Sequence, residues 1–264
     1  MDVRHILDLD RYPLHDLAGA RGLELISACR EALADHGMFD LTGFVRPEAL
    51  VRCLAEVKPV FDTAAFKHRR SHNIYFQPSV PGLAADDPAL RALETANHTV
   101  CADQLPGSVL CQIYEWAPLA DFLAATLGKS QLFQMSDPLA RINVMAYQAG
   151  EALNWHFDRS EFTTTLLLQQ PDAGGDFEYR RDLRTDDDPN YAGVADLLAD
   201  KDTDVRSVRV EPGTLTVFMG KQTAHRTTQT EGSRPRLVSV FSFYEQPGVM
   251  FSDEERIGFY GRAA

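Results

Sequence analysis

His156 and Asp158 stand two residues apart in a stretch, Asn154 to Phe157, that reads as extended chain. Side chains at i and i+2 of a strand leave the same face, so an imidazole and a carboxylate project together. Such a pair can hold two adjacent corners of a metal's coordination sphere. A third donor has to arrive from elsewhere in the fold. His225 is the candidate, 69 residues on and just after the apolar run Thr214 to Met219. Two histidines and one carboxylate on one face are the donor set of non-haem iron(II), which leaves positions open for substrate and dioxygen. An H-x-D triplet also arises by chance, and an isolated histidine is more often a polar surface or core residue. Arg236 adds weight, because it opens a strongly apolar strand 11 residues past His225. Burying an unpaired guanidinium there is costly, and its planar fork matches a carboxylate.

The segments that must position these groups divide the chain in two. Up to about residue 130 the pattern is helical. Apolar residues recur at three and four positions from His15 to Gly37, where glycine suits a C-terminal cap. A second helix is expected to start at Pro47 and to be interrupted at Pro59, with others over Pro88 to about Val100 and Ala117 to Leu127. After Asp137-Pro138 the alternation of strands takes over: Arg141–Tyr147, Phe162–Leu168, Asp176–Arg180, Val205–Val210, Thr214–Met219 and Arg236–Tyr244, divided by Gly and Pro turns. The polar, acidic stretch 182–204 reads as an insertion or lid. The expected architecture is mainly β with α. It is one domain over 1–264, with a largely helical part (1–136), a jelly-roll core (137–247) and a C-terminal tail (248–264).

With these elements in place, the set His156-Phe157-Asp158, His225 and Arg236 on Arg-Leu-Val-Ser-Val-Phe-Ser-Phe resembles the iron(II)/2-oxoglutarate-dependent oxygenases. Glu211-Pro212-Gly213-Thr214-Leu215 looks like their turn before the penultimate strand. The resemblance is clearest over 137–247. It implies a double-stranded β-helix of the cupin-like kind, with His156, Asp158 and His225 as catalytic iron ligands. It also implies that Arg236 binds the distal carboxylate of the co-substrate 2-oxoglutarate, whose keto-acid end chelates the metal. Asn154 to Gln169, followed by Gly174-Gly175-Asp176-Phe177-Glu178-Tyr179, is similar to the branch containing the radical halogenases of free amino acids and their hydroxylating relatives. Halogenases of that branch have a small residue where Asp158 stands, which vacates a site for chloride. A carboxylate there implies hydroxylation, with dioxygen consumed and 2-oxoglutarate decarboxylated to succinate. The rival readings are a halogenase that tolerates Asp158 and a non-catalytic cupin-like metal-binding or sensor module.

Other polar residues fall into place around this set. Asn143 and Tyr147 share a strand face at i, i+4 and can hydrogen-bond 2-oxoglutarate, or else sit as satisfied groups at the sheet rim. Arg70 and His72, within the basic stretch His68 to Phe76, suit the α-carboxylate of an amino acid; a solvated basic helix end explains them about as well. Asp137 is a candidate for a substrate ammonium, Ser242 for the pocket wall, and Tyr260 with Arg262 for a tail folded over the site. The net charge of −12 and pI near 5.1 argue against a nucleic-acid partner and lean towards a cationic, lysine- or ornithine-like amino-acid substrate. Four scattered cysteines read as reduced thiols in a cytoplasmic protein, and nothing in the chain approaches a membrane span. A homo-oligomer is compatible with the sequence.

Overall fold

Alternation in the second half of the chain builds two facing antiparallel sheets. The computed structural model describes residues 2–77 and 79–263. Its helices are α1 (Ala20–His36), α2 (Pro47–Ala64), α3 (Val109–Tyr114), α4 (Ala117–Leu127), α5 (Tyr191–Leu198) and α6 (Asp253–Tyr260). The strands are β1 (Met38–Leu41), β2 (Phe66–His72), β3 (Leu93–Cys101), β4 (Phe133–Gln134), β5 (Ile142–Tyr147), β6 (Leu153–His156), β7 (Thr163–Gln169), β8 (Ala173–Gly174), β9 (Phe177–Arg180), β10 (Arg206–Val208), β11 (Leu215–Phe218), β12 (Ala224–Thr227), β13 (Thr230–Glu231), β14 (Arg236–Phe241) and β15 (Phe243–Tyr244). The large sheet runs β1-β11-β7-β14-β5-β3-β2 and the small one β10-β9-β12-β6. Strands β5 to β14 thus wind between the two sheets as a jelly roll.

Each strand of the large sheet has two environments, and period-2 geometry assigns residues to them. On β5, Ile142, Val144 and Ala146 join the main apolar core, whereas Asn143, Met145 and Tyr147 line an interior cavity. On β14, Leu237 and Phe241 enter that core while Arg236, Val238 and Val240 face the cavity. Leu166 and Leu168 on β7, with Leu215 and Val217 on β11, continue the same outer surface. Helices α1 to α4 cover it, contributing Ile26, Cys53, Val57, Ile113 and Phe122. Each fully buried side chain of this kind contributes about 1.5–3 kcal/mol. The outer face therefore carries stability, and the inner face is free to be hollow and polar.

The first 136 residues are not only a helical annex, since β1, β2 and β3 join the large sheet. Two expectations are corrected here. Pro88–Leu90 forms only a 3₁₀ turn, and Leu93–Cys101 is a strand instead of a helix, inserted between β2 and β5. Its threonines, at 95 and 99, suit a pleated surface, and pairing on both sides outweighs the apolar spacing that resembled a helix. Helix α2 also runs through Pro59 to Ala64. Proline forfeits one backbone bond near the helix end, while Val60 and Phe61 beyond it still pack on the core.

The insertion is a buttress. Asn190 caps α5 by accepting from the Gly193 N–H, and Val194, Leu197 and Leu198 pack with Trp155, Phe157 and Ala224. No residue of 182–204 lines the main cavity among those described. All four cysteines are free and buried. Burial pushes the thiols of Cys29, Cys53 and Cys101 up to about 12, so they are not nucleophiles at neutral pH. No helix among the described residues is long and apolar enough to cross a membrane.

Asp137 anchors the tail. Wholly buried, it accepts from the backbone N–H groups of Leu139, Ala140 and Phe251 and from Arg256 Nε on α6 at 2.9 Å. It does not line the cavity, so its expected contact with a substrate ammonium is corrected to a structural one. Burial alone would raise its pKa, but these donors outweigh burial and hold the carboxyl below its usual range. A depressed pKa stabilises the fold at neutral pH, and that contribution fades as acidification passes below about 4. Asp137→Ala, which removes the acceptor of three backbone N–H groups and leaves Arg256 with only its exposed ion-pair partner Asp253, is expected to cost about 3–5 kcal/mol in denaturant unfolding. Hydrogen exchange should localise the opening to α6.

Candidate metal centre and active-site cavity

The small sheet brings the two histidines together. Strands β6 and β12 pair with His156 opposite His225, and the ring centroids lie 4.1 Å apart. Asp158 lies two residues past the end of β6, and its backbone N–H donates to the Gly220 carbonyl at 3.0 Å. His156 Nε2 lies 3.4 Å from Asp158 Oδ1, and His225 Nε2 lies 3.4 Å from Oδ2. One ligand atom from each of the three residues falls within 4.8 Å of the others.

Tautomers follow from the surroundings. His156 Nδ1 faces the Asn154 carbonyl at 2.9 Å, and His225 Nδ1 faces the Thr223 carbonyl at 3.0 Å. A carbonyl only accepts, so each Nδ1 carries a proton and each ring turns its Nε2 towards Asp158, as an N–H donor while the ring is charged and as a free lone pair once it is neutral. That is the outer-shell pattern which prepares imidazoles for a metal. Burial would raise the Asp158 pKa, yet His225 and His156 outweigh it and hold the carboxylate well below its ordinary value. Two neutral nitrogens and one carboxylate at these separations fit a ferrous ion.

Two further residues shape the carboxylate. The Thr163 hydroxyl, at the start of β7, donates to Asp158 Oδ2. Gly220 leaves the space into which Asp158 fits: a Cβ there would lie 2.2 Å from Oδ2. No spacing rule singles out Gly220, because the clash involves a residue 62 positions earlier. Phe218 meets the His225 ring edge-on at 4.8 Å, and Phe76 lies 5.6 Å from the His156 ring. These rings keep the corner dry on two sides.

The centre opens into a cavity of about 400 Å³. Arg236 enters it from the first residue of β14, opposite Tyr147 on β5, with its guanidinium carbon 6.0 Å from the Tyr147 ring. Arg236 is buried and has no ion-pair partner among the described residues. Gly175 makes room for it, since a Cβ there would lie 3.1 Å from Arg236 Cδ. Asn143 and Tyr147 both line the cavity; Asn143 Oδ1 accepts from the Tyr260 hydroxyl at 2.8 Å. Ser242 and Tyr260 are also in the wall. Arg70 projects inward from β2, its guanidinium carbon 4.1 Å from the Phe76 ring and 5.6 Å from Phe259. The segment is a strand, not a helix end. His72 stands apart from the lining, with its ring nitrogens against the Asn73 carbonyl at 2.8 Å and the Thr95 hydroxyl at 2.7 Å. Arg262 pairs with Asp103 at 2.7 Å and serves the tail, not the cavity.

Several wall residues escaped sequence reasoning. Asn97 and Thr99 lie on β3, which reads as a helix from its apolar spacing. Arg159, next to Asp158, and Phe251 and Phe259 of the tail carry no local signal for their place in the wall.

The fold and donor set define the class of protein as an iron(II)/2-oxoglutarate oxygenase, and comparison with known proteins agrees. The family model described as halogenase D matches residues 23–250, so the chain belongs to that family of iron- and 2-oxoglutarate-dependent oxidoreductases. Its cofactor is iron(II), its co-substrates are 2-oxoglutarate and dioxygen, and enzymes of the family act on small molecules. A non-catalytic module is thereby set aside. No curated protein matches the sequence.

Solved structures share the fold. The non-haem α-ketoglutarate-dependent epimerase SnoN of nogalamycin biosynthesis is 13% identical, with a TM-score of 0.57 over 84% of this chain and 81% of that one. AviO1 from Streptomyces viridochromogenes Tue57 is 18% identical, with a TM-score of 0.55 over 84% and 95%. A 2OG-Fe(II) oxygenase family protein from Burkholderia pseudomallei is 14% identical, with a TM-score of 0.52 over 85% and 92%.

His225→Ala is expected to leave a folded protein with no measurable binding of cobalt(II), followed by its visible absorption. Gly220→Ala should displace the Asp158 carboxylate and weaken cobalt(II) binding by about 10–100-fold, the usual range for disturbed outer-shell partners. Native affinity in either variant would remove that residue from the centre.

Proposed function

We propose that the protein is a hydroxylase in which His156, Asp158 and His225 hold iron(II). Arg236 takes the distal carboxylate of 2-oxoglutarate, with Asn143 and Tyr147 beside it. A substrate of amino-acid size places its carboxylate against Arg70, and Ser242 and Tyr260 complete the wall. The observation that carries this reading is the Asp158 carboxylate itself, braced by Thr163 and fitted against Gly220. It fills the corner that a halide would need.

When bound, iron and 2-oxoglutarate supply oxidation of an unactivated C–H bond. One oxygen atom of O₂ enters the product and the other enters succinate. The electrons come from loss of carbon dioxide and from the C–H bond. The protein's own residues supply placement. Arg236, with no carboxylate of its own, binds an anion through its planar fork and orients it along β14. Phe76, Phe177 and Phe218 exclude water around the histidines. No general base is needed, and the buried centre offers none free.

Mass spectrometry of products formed in the presence of chloride tests the outcome: a gain of one oxygen is expected, and a gain of one chlorine in place of hydrogen would assign the chain to halogenation. Arg236→Ala should raise the 2-oxoglutarate concentration required for half-maximal succinate release by about 100-fold, the cost of losing a buried charge-assisted pair. An unchanged requirement would reassign that arginine.

A further inference from the structure

We propose that His72 is a positioning residue for the metal centre, acting through Phe76, whose ring it holds against that of His156; this rests on His156, Asp158 and His225 being the ligands.

His72 ends β2 and stands outside the cavity, yet both of its ring nitrogens are committed. Nδ1 lies 2.8 Å from the Asn73 carbonyl, which only accepts, so Nδ1 carries the proton. Burial holds the ring below its ordinary pKa, so at neutral pH it is uncharged and Nε2 is an acceptor. The Thr95 hydroxyl, 2.7 Å away, therefore donates to Nε2 while it accepts from the Asn154 backbone N–H at 3.0 Å. Strand β3 fixes the imidazole on one side and its own chain fixes it on the other. Asn154 is also the residue whose carbonyl faces His156 Nδ1 at 2.9 Å, so one short piece of β6 anchors both rings.

What the fixed imidazole supports is Phe76. The two ring centroids lie 4.2 Å apart. Phe76 has φ 52°, in the left-handed region that a bulky L-residue rarely adopts. Glycine would take that conformation freely but offers no ring, so a phenyl group there points to a use for the ring. Strain of this kind persists only where its surroundings hold it. Here the Phe76 N–H donates at 3.0 Å to the Asn73 carbonyl, the same oxygen that His72 Nδ1 engages. Asn73 Oδ1 accepts from the backbone N–H groups of Tyr75 and Gln77. The Ile74 carbonyl accepts from the Phe157 N–H at 3.3 Å, which fastens the turn to the residue between two metal ligands. Held in this way, the Phe76 ring meets the His156 ring at 5.6 Å, with the Arg70 guanidinium carbon 4.1 Å from it. Without His72 behind it, Phe76 is free to relax to an ordinary backbone conformation, and its ring then leaves His156 open to water.

The test titrates the full chain with cobalt(II), followed by visible absorption, with circular dichroism to establish folding. His72→Gln still accepts from Thr95 but presents no aromatic ring. It is expected to bind cobalt(II) about 3–10-fold more weakly with a shifted absorption band, a smaller loss than the 10–100-fold of a direct outer-shell partner. His72→Phe, which returns a ring to Phe76, should regain part of that loss. Phe76→Leu is expected to weaken binding to a similar degree, and adding His72→Gln to it should cost nothing further, because residues that act through one another are not additive. Native affinity and spectrum in a folded His72→Gln overturn the proposal, as does a fully additive loss in the double variant. Should His72→Gln not fold, the same cycle is run with His72→Phe, whose smaller loss should likewise vanish in the Phe76→Leu background. Failure of the wild-type chain to bind cobalt(II), or native binding by His225→Ala, would instead remove the metal centre itself.

Discussion

One buried carboxylate between two imidazoles governs the design of this molecule. Asp158 is ionised inside the fold, and a charge in that position survives only if other groups compensate for lost water. The histidines do so from one side and the Thr163 hydroxyl from another. Each histidine is in turn held by a carbonyl of its own segment, so neither ring can rotate without losing a bond. The pairing of β6 with β12 and the bare backbone at Gly220 are therefore requirements of the same small volume. A bound cation relieves the remaining excess of negative charge, which is why this arrangement suits a metal better than an empty core.

Such a centre needs a rigid but hollow scaffold, and the division of labour across the large sheet supplies it. Its outer face packs on four helices and collects most of the apolar core, whereas the inner face places Asn143, Tyr147, Thr163 and Arg236 around open space. On the far side of the small sheet, α5 packs against Trp155 and Phe157, the neighbours of His156. Segments that look peripheral in the chain thus brace the metal-binding strand from behind. The C-terminal tail completes the wall with Phe251, Phe259 and Tyr260, and Asp137 ties it down through Arg256.

Charge separates into two regions. Acidic residues dominate the exterior, and guanidiniums dominate the cavity. Net charge is a sum over the whole surface and describes long-range attraction, while selection of a ligand depends on the few groups within hydrogen-bond reach. In this protein the two have opposite signs, so the total charge does not describe the groups that meet a ligand.

Much of the core was legible from local pattern. Strand alternation marked β5, β7, β11 and β14, the Gly37 cap ended α1, and the i, i+2 spacing put His156 and Asp158 on one face, because backbone geometry alone sets where neighbours in a segment point. Other features depend on which segments meet. Leu93–Cys101 has apolar spacing compatible with a helix and becomes a strand because two partners pair with it; Gly220 matters only because Asp158 turns towards it. The sequence by itself determined the donor types, their local spacing and the strands that carry them. Tertiary structure decided which His meets Asp158, what lines the cavity and which charges remain without partners, because long-range strand pairing and packing set distances that no local spacing encodes.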